Sequence, residues 1–224
     1  MILRHTSFER PLINEGFGGD MLVLESPEIM FKLLREVQTQ LEGDEGGFIM
    51  AKDGKPLPIE KNLHLLLSPL LLEHNPRKAL TALYKQLDEA LISAEAAERL
   101  DELLAQLRDC LREALPESYA QLDDLTLPEW DATLKFFEVS FRTEFQSLAD
   151  ELNEYFKMMK HYCGLSVFVC SNLLSFIATA DLANLFAEAA YNEYNILAVE
   201  PRWQDGQPPV GRQLIILDKD QCEI

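Results

Sequence analysis

Three lysines, Lys52, Lys55 and Lys61, lie close together with few acids among them in the stretch GFIMAKDGKPLPIEKN. Asp53-Gly54 is a strong two-residue hairpin signal, so Lys52 and Lys55 should flank a turn, with Lys61 beyond the second strand. Such a cluster either solubilises a loop or offers ammonium groups as point charges to an anion. Arg77 and Lys78 are weaker candidates, because a helical pattern begins there and a helix N-terminus disfavours cations. Other chemistries find less support. Ser171 and Asn172 close an apolar strand, where parallel sheets collect catalytic groups, but no GxSxG elbow accompanies them and capping the following turn is the simpler role for Ser171. The segment LESPEIMFK passes from strand to helix without GxxxxGK[ST] or GxGxxG, so no glycine loop is available to wrap a triphosphate. Cys110, Cys163, Cys170 and Cys222 form no CxxC pair, and His5, His64, His74 and His161 show no ligand spacing, which argues against zinc or a disulfide scaffold.

The elements that must position these residues centre on Leu165 to Arg202. LSVFVCSNLLSF opens as an uncharged, β-branched and aromatic run, the composition of a strand covered on both faces. A helix from Asp181 follows, with Leu182, Leu185, Phe186 and Ala189 at helical spacing, and NILAVEPR returns as a second strand stopped by Pro201. Strand, helix and strand in so short a span form a βαβ unit, which makes its strands parallel. Earlier, residues 1–15 read as an edge strand and lead-in, GFGGD as a turn, and MLVLES as a strand. Ser26 and Pro27 should cap and open a helix that buries Phe31, Leu34, Val37 and Leu41. LHLLLSPLLLEHNP adds a strand and loop, and RQLIILDKDQCEI a final strand.

From Arg77 the pattern turns helical. Leu80, Leu83, Tyr84, Leu87 and Leu91 form one stripe, which Leu100, Leu103, Leu104, Leu107 and Leu111 continue to Pro116. A second long helix is expected from Leu134 through Phe137, Phe141, Phe145, Leu148, Leu152 and Phe156 to Met159, the seam of a lengthwise helix pair. The expected class is therefore α/β: a head of residues 1–78 and 163–224 built on an NTPase-like, parallel-containing sheet without Walker motifs, with an α-helical leg, 79–162, inserted in it.

The 224 residues and 47% hydrophobic content suit a packed core. Of the net charge of −18, the segment 86–154 supplies thirteen, with five Lys/Arg against eighteen Asp/Glu. A uniformly acidic chain would argue against nucleic acid; one whose acidity is confined to a limb does not. The longest uncharged run, Cys163 to Ala180, contains Ser, Asn and Thr and precedes an amphipathic helix, so it reads as buried strand rather than a membrane span. MILRHTSFERPL carries charges too early for a signal peptide, and a cytoplasmic location is expected.

In this order of elements the chain resembles one family, the type II-A CRISPR-associated adaptation proteins, tetrameric DNA-encircling rings of spacer acquisition. The resemblance rests on MLVLESPEIMFKLL, the lysine-bearing hairpin, DDLTLPEWDATLKFF, and LSVFVCSNLLSF followed by NILAVEPR. It implies four copies closing into a ring that binds double-stranded DNA at its ends, without enzymatic activity, in company with other CRISPR adaptation proteins and the RNA-guided nuclease. By position it makes Lys52, Lys55 and Lys61 the candidates for phosphate contact, with Arg77 and Lys78 behind them. It also implies Ca2+. Glu117, Asp123, Asp124 and Glu129 offer hard oxygen donors in the connector between helices, the last three matching acidic positions of the family, whereas Tyr119 and Gln121 stand where relatives more often have acids. Two other readings compete: a nucleotide-dependent or hydrolytic α/β enzyme, and an interaction adaptor using the aromatic leg.

Overall fold

The computed structural model describes residues 1–91, 94–115, 130–203 and 211–224. In chain order its elements are β1 (Ile2–His5), β2 (Gly18–Leu24), α1 (Pro27–Leu41), β3 (Phe48–Lys52), β4 (Lys55–Leu57), α2 (Ile59–Asn62) and β5 (Leu63–Leu66). Helices α3 (Arg77–Leu91), α4 (Ala94–Ala114), α5 (Trp130–Phe136) and α6 (Leu148–Cys163) follow, then β6 (Val167–Ser171), α7 (Thr179–Tyr191), β7 (Asn195–Glu200) and β8 (Leu214–Leu217). The chain divides into two compact units, Met1–His74 with Thr143–Ile224, and Asn75–Arg142.

The first unit is α/β. Its principal sheet has five strands in the order β5-β6-β7-β2-β8, and each neighbouring pair is parallel. All residues of β2, β6 and β7 are buried, which accounts for the apolar runs Met21–Leu24, Val167–Cys170 and Ile196–Val199 within them. One face lies over the core containing Leu33 and Val37 of α1 with Leu22, Leu24, Val167, Val169, Leu197 and Val199. The other carries α7, whose Leu182, Leu185, Phe186 and Ala189 are buried, as their spacing predicts. That helix comes so near β2 that a Cβ on Gly19 would stand 1.9 Å from the Phe186 ring, so only glycine fits there. Gly18 and Gly19 are consequently strand residues and not the expected turn. A second sheet, β1-β3-β4, is antiparallel throughout.

Two helices depart from the sequence pattern. On α1 the buried positions are Leu33 and Val37, whereas Phe31 is 69% exposed. Phe31 sits two residues before Leu33, about 200° around a helix of 3.6 residues per turn, and so faces away from the core. The expected long helix from Leu134 to Met159 is two helices. At the end of α5, Glu138 takes φ 52, with its N–H donating to Lys135 O (3.0 Å) and that of Val139 to Leu134 O (3.0 Å). These paired bonds close the helix as a Schellman motif, with glutamate at the left-handed position that glycine usually fills. The chain re-enters a helix at Ser147, whose Oγ accepts from Asp150 N at 3.1 Å, with Asp150 and Glu151 in the first turn. Helix α6, which the sequence pattern places in the leg, falls in the first unit, where Leu152, Phe156 and Met159 are buried and the Phe156 ring lies 4.6 Å from that of Phe168.

The second unit contains α3, α4 and α5. Helix α3 packs against both others. Two long-range hydrogen bonds hold the segment after α5, from Tyr84 Oη to Val139 O (2.8 Å) and from Phe141 N to Asn75 Oδ1 (2.8 Å). Leu103, Leu107 and Leu111 of α4 lie at steps of four and are each about half exposed.

Candidate nucleic-acid interface

The β3–β4 hairpin is closed by Asp53 (φ 51) and Gly54 (φ 72). Two consecutive positive φ angles make the mirror-image turn that matches strand twist, and the Asp-Gly pair is its preferred sequence. The two-residue turn fixes the register, so Lys52 pairs with Lys55, next to the Ala51–Pro56 and Met50–Leu57 pairs. Side chains alternate along a strand, which puts both lysines on the face that carries Met50 and Leu57. Met50 is 1% exposed and Leu57 half-buried, whereas Lys52 and Lys55 are exposed: the hairpin tip overhangs its own core.

Directly opposed residues have Cβ atoms about 5 Å apart, and like charges in that relation repel. Among the described residues neither lysine forms an ion pair that would offset the repulsion. An anion between the two ammonium groups would do so. Lys61 is exposed in the last turn of α2, a short helix anchored by buried Ile59 and packed against β3, where a cation complements the helix C-terminus. Arg4, exposed on β1, escaped the sequence reading. It pairs with Ile49 of β3 and so lies on the opposite face from Lys52. Arg77 and Lys78 open α3 in the second unit, with no acid in its first turn.

Glu117, Asp123, Asp124 and Glu129 lie outside the described residues. Their chemistry, four carboxylates and no soft donor, suits calcium. Among the described residues no three His, Cys, Asp or Glu side chains are grouped so as to hold a metal ion.

The carboxyl edge of the parallel sheet bears on the enzyme reading. At the β2–α1 junction Glu25 N donates to Leu217 O and Pro27 has no N–H to offer, so these amides form no phosphate cradle. A cavity of about 330 Å³ there is lined by apolar residues of β2 and α1 with Glu25, Pro201 and Arg202. Ser171 is 4% exposed and its Oγ donates to Leu67 O at 2.8 Å, which ties β6 to the end of β5; it does not cap the next turn as expected. At the other end of the sheet, Asp20 and Asn195 are fully buried side by side under Arg212, whose guanidinium donates to both. Burial raises the Asp20 pKa even against that cation.

A family model described as CRISPR-associated protein (Cas_Csn2) matches residues 40–221. The match takes in the hairpin, α2, the second unit and four strands of the parallel sheet. The chain belongs to that family. No curated protein matches it. As a Cas_Csn2 family member it is CRISPR-associated, and the parallel sheet and the Asp-Gly hairpin described above both lie largely within the matched span. Among the described residues no helix is long and apolar enough to cross a membrane.

Proposed function

We propose that this CRISPR-associated chain binds double-stranded DNA without reading its sequence, through phosphate contacts from Lys52, Lys55 and Lys61, with Arg77 and Lys78 as secondary contacts. The observation that carries the reading is the opposed Lys52–Lys55 pair, without an ion-pair partner among the described residues, on an exposed hairpin in a chain of net charge −18. A polyanion removes the repulsion between the two ammonium groups, and the counterions it releases make binding steeply salt-dependent. Lysine places charge without a fixed fork, so it positions a duplex backbone and leaves its bases unread.

The family resemblance extends the proposal to a ring of four copies that threads DNA ends during spacer acquisition, works beside other CRISPR adaptation proteins and the RNA-guided nuclease, has no catalytic activity and acts in the cytoplasm. Calcium held by Asp123, Asp124, Glu129 and Glu117 supports that assembly. A gel shift over a salt series tests it, with linear and covalently closed circular duplex and with calcium or chelator. Binding confined to linear duplex and weakened by chelator is the expected result. Equal retention of circular DNA contradicts threading, and no retention of either form at low salt removes DNA binding altogether.

A further inference from the structure

Glu200, the last residue of β7, is 2% exposed. The chain leaving β6 turns over it: Asn172, in the left-handed region at φ 60, donates its N–H to Val199 O at 2.9 Å, and Leu174 N donates to Glu200 Oε1 at 3.1 Å. The Leu173 amide supports the same carboxylate. The side chain thus stands in for the strand partner that the chain after Ser171 no longer has. Along its own chain the nearest cation is Arg202, two residues further on. The elements packed around it are β6, β2, α7 and the 3₁₀ turn Leu173–Ser175, and their titratable groups are Cys170, Asp20 at the far end of β2, and Asp181, Glu188 and Tyr191 of α7. None of these elements carries a lysine, arginine or histidine. Burial, and after it the negative charge of an ionised Glu200, push the Cys170 thiol up.

We propose that Glu200 is a proton-operated latch on the β6–α7 loop: protonated, it lets Asn172–Ile177 stay closed over the carboxyl edge of the sheet, and ionised, it drives that segment open to water. The two amides favour the charged form, but burial outweighs them and pushes the carboxyl up to about 7. With the loop open the group is hydrated and returns toward 4.5. The closed state therefore holds more protons than the open one, and opening becomes easier as pH rises between those values. Opening uncovers Leu173, which is fully buried, beside half-exposed Phe176, so the apolar surface at this edge differs on the two sides of neutrality.

The test is amide hydrogen exchange of the intact protein at pH 6 and pH 8, corrected for intrinsic rates, in the wild type and in Glu200→Gln. Protection of Leu173 and Leu174 is expected to fall about tenfold from pH 6 to pH 8 in the wild type, following proton linkage with these two pKa values, and to stay level in the variant, which keeps an acceptor oxygen. Protection of Leu197 and Ala198 inside β7 should hold through the same range. Equal pH dependence in both proteins, or a parallel fall at Leu197 and Ala198, overturns the latch. A carboxyl titration of Glu200 by carbon NMR in the wild type is decisive even if the variant does not fold: a midpoint near 4.5 ends the proposal.

Discussion

Replacing both opposed lysines, Lys52→Ala with Lys55→Ala, should move stability and DNA binding in opposite directions. The pair sits at the exposed end of a hairpin whose register places the side chains face to face. Removing like charges from directly opposed strand positions relieves a repulsion of about 0.2–1 kcal/mol, so the double variant should unfold at slightly higher urea. Each lysine that neutralises one phosphate contributes about 0.9 to the slope of log affinity against log salt, so losing two such contacts flattens it by about 1.8. Between 50 and 200 mM salt, a fourfold range, the wild type should then lose about tenfold more affinity than the variant. The assay is fluorescence anisotropy with a labelled duplex over a salt series, repeated on two unrelated sequences that should respond alike. An unchanged slope, or weakening confined to one sequence, refutes the phosphate assignment; lower stability refutes the repulsion on which it rests.

Gly19→Ala should cost about 1–3 kcal/mol or more, read as a lower thermal midpoint, because the new methyl group meets the Phe186 ring at 1.9 Å. Arg212→Ala strands Asp20 in a fully buried position and should cost about 3–5 kcal/mol at pH 8, measured by urea unfolding, and less as the pH falls, because burial raises the Asp20 pKa and the lost cation no longer opposes it. Glu200→Gln should stabilise the fold by up to about 3 kcal/mol at pH 8 and not at pH 4. The sign follows from its pKa, raised from 4.5 to about 7: the wild type loses stability as pH climbs between those values, and glutamine has no proton to lose. Paired denaturation curves at the two pH values check this.

What the sequence disclosed followed from local rules. The β6–α7–β7 unit was legible because buried strands and an amphipathic helix each leave a periodic trace, and the opposed lysines were legible because Asp53-Gly54 fixes a two-residue turn. The break between α5 and α6 was hidden at one end and visible at the other. Glu138 occupies a left-handed position where glycine would have announced it, whereas Ser147 followed by Asp150 and Glu151 is an ordinary helix start masked by the run of phenylalanines. Phe31 misled because apolar character alone does not say which side of a helix faces the core. The Arg212 clamp on Asp20 joins residues 192 positions apart, and no local pattern carries that information.

In the order β1-β3-β4, the strand that carries Lys55 has a neighbour on one side only among the described residues. A bare backbone margin invites another polypeptide to add itself, and natural proteins discourage this with lysine and proline, the two residues that open β4 as Lys55 and Pro56. By the same principle the hairpin's basic tip should discourage neighbouring molecules from zipping onto the sheet. A variant stripped of its lysines should be handled dilute, since what it gains in firmness it stands to lose in solubility.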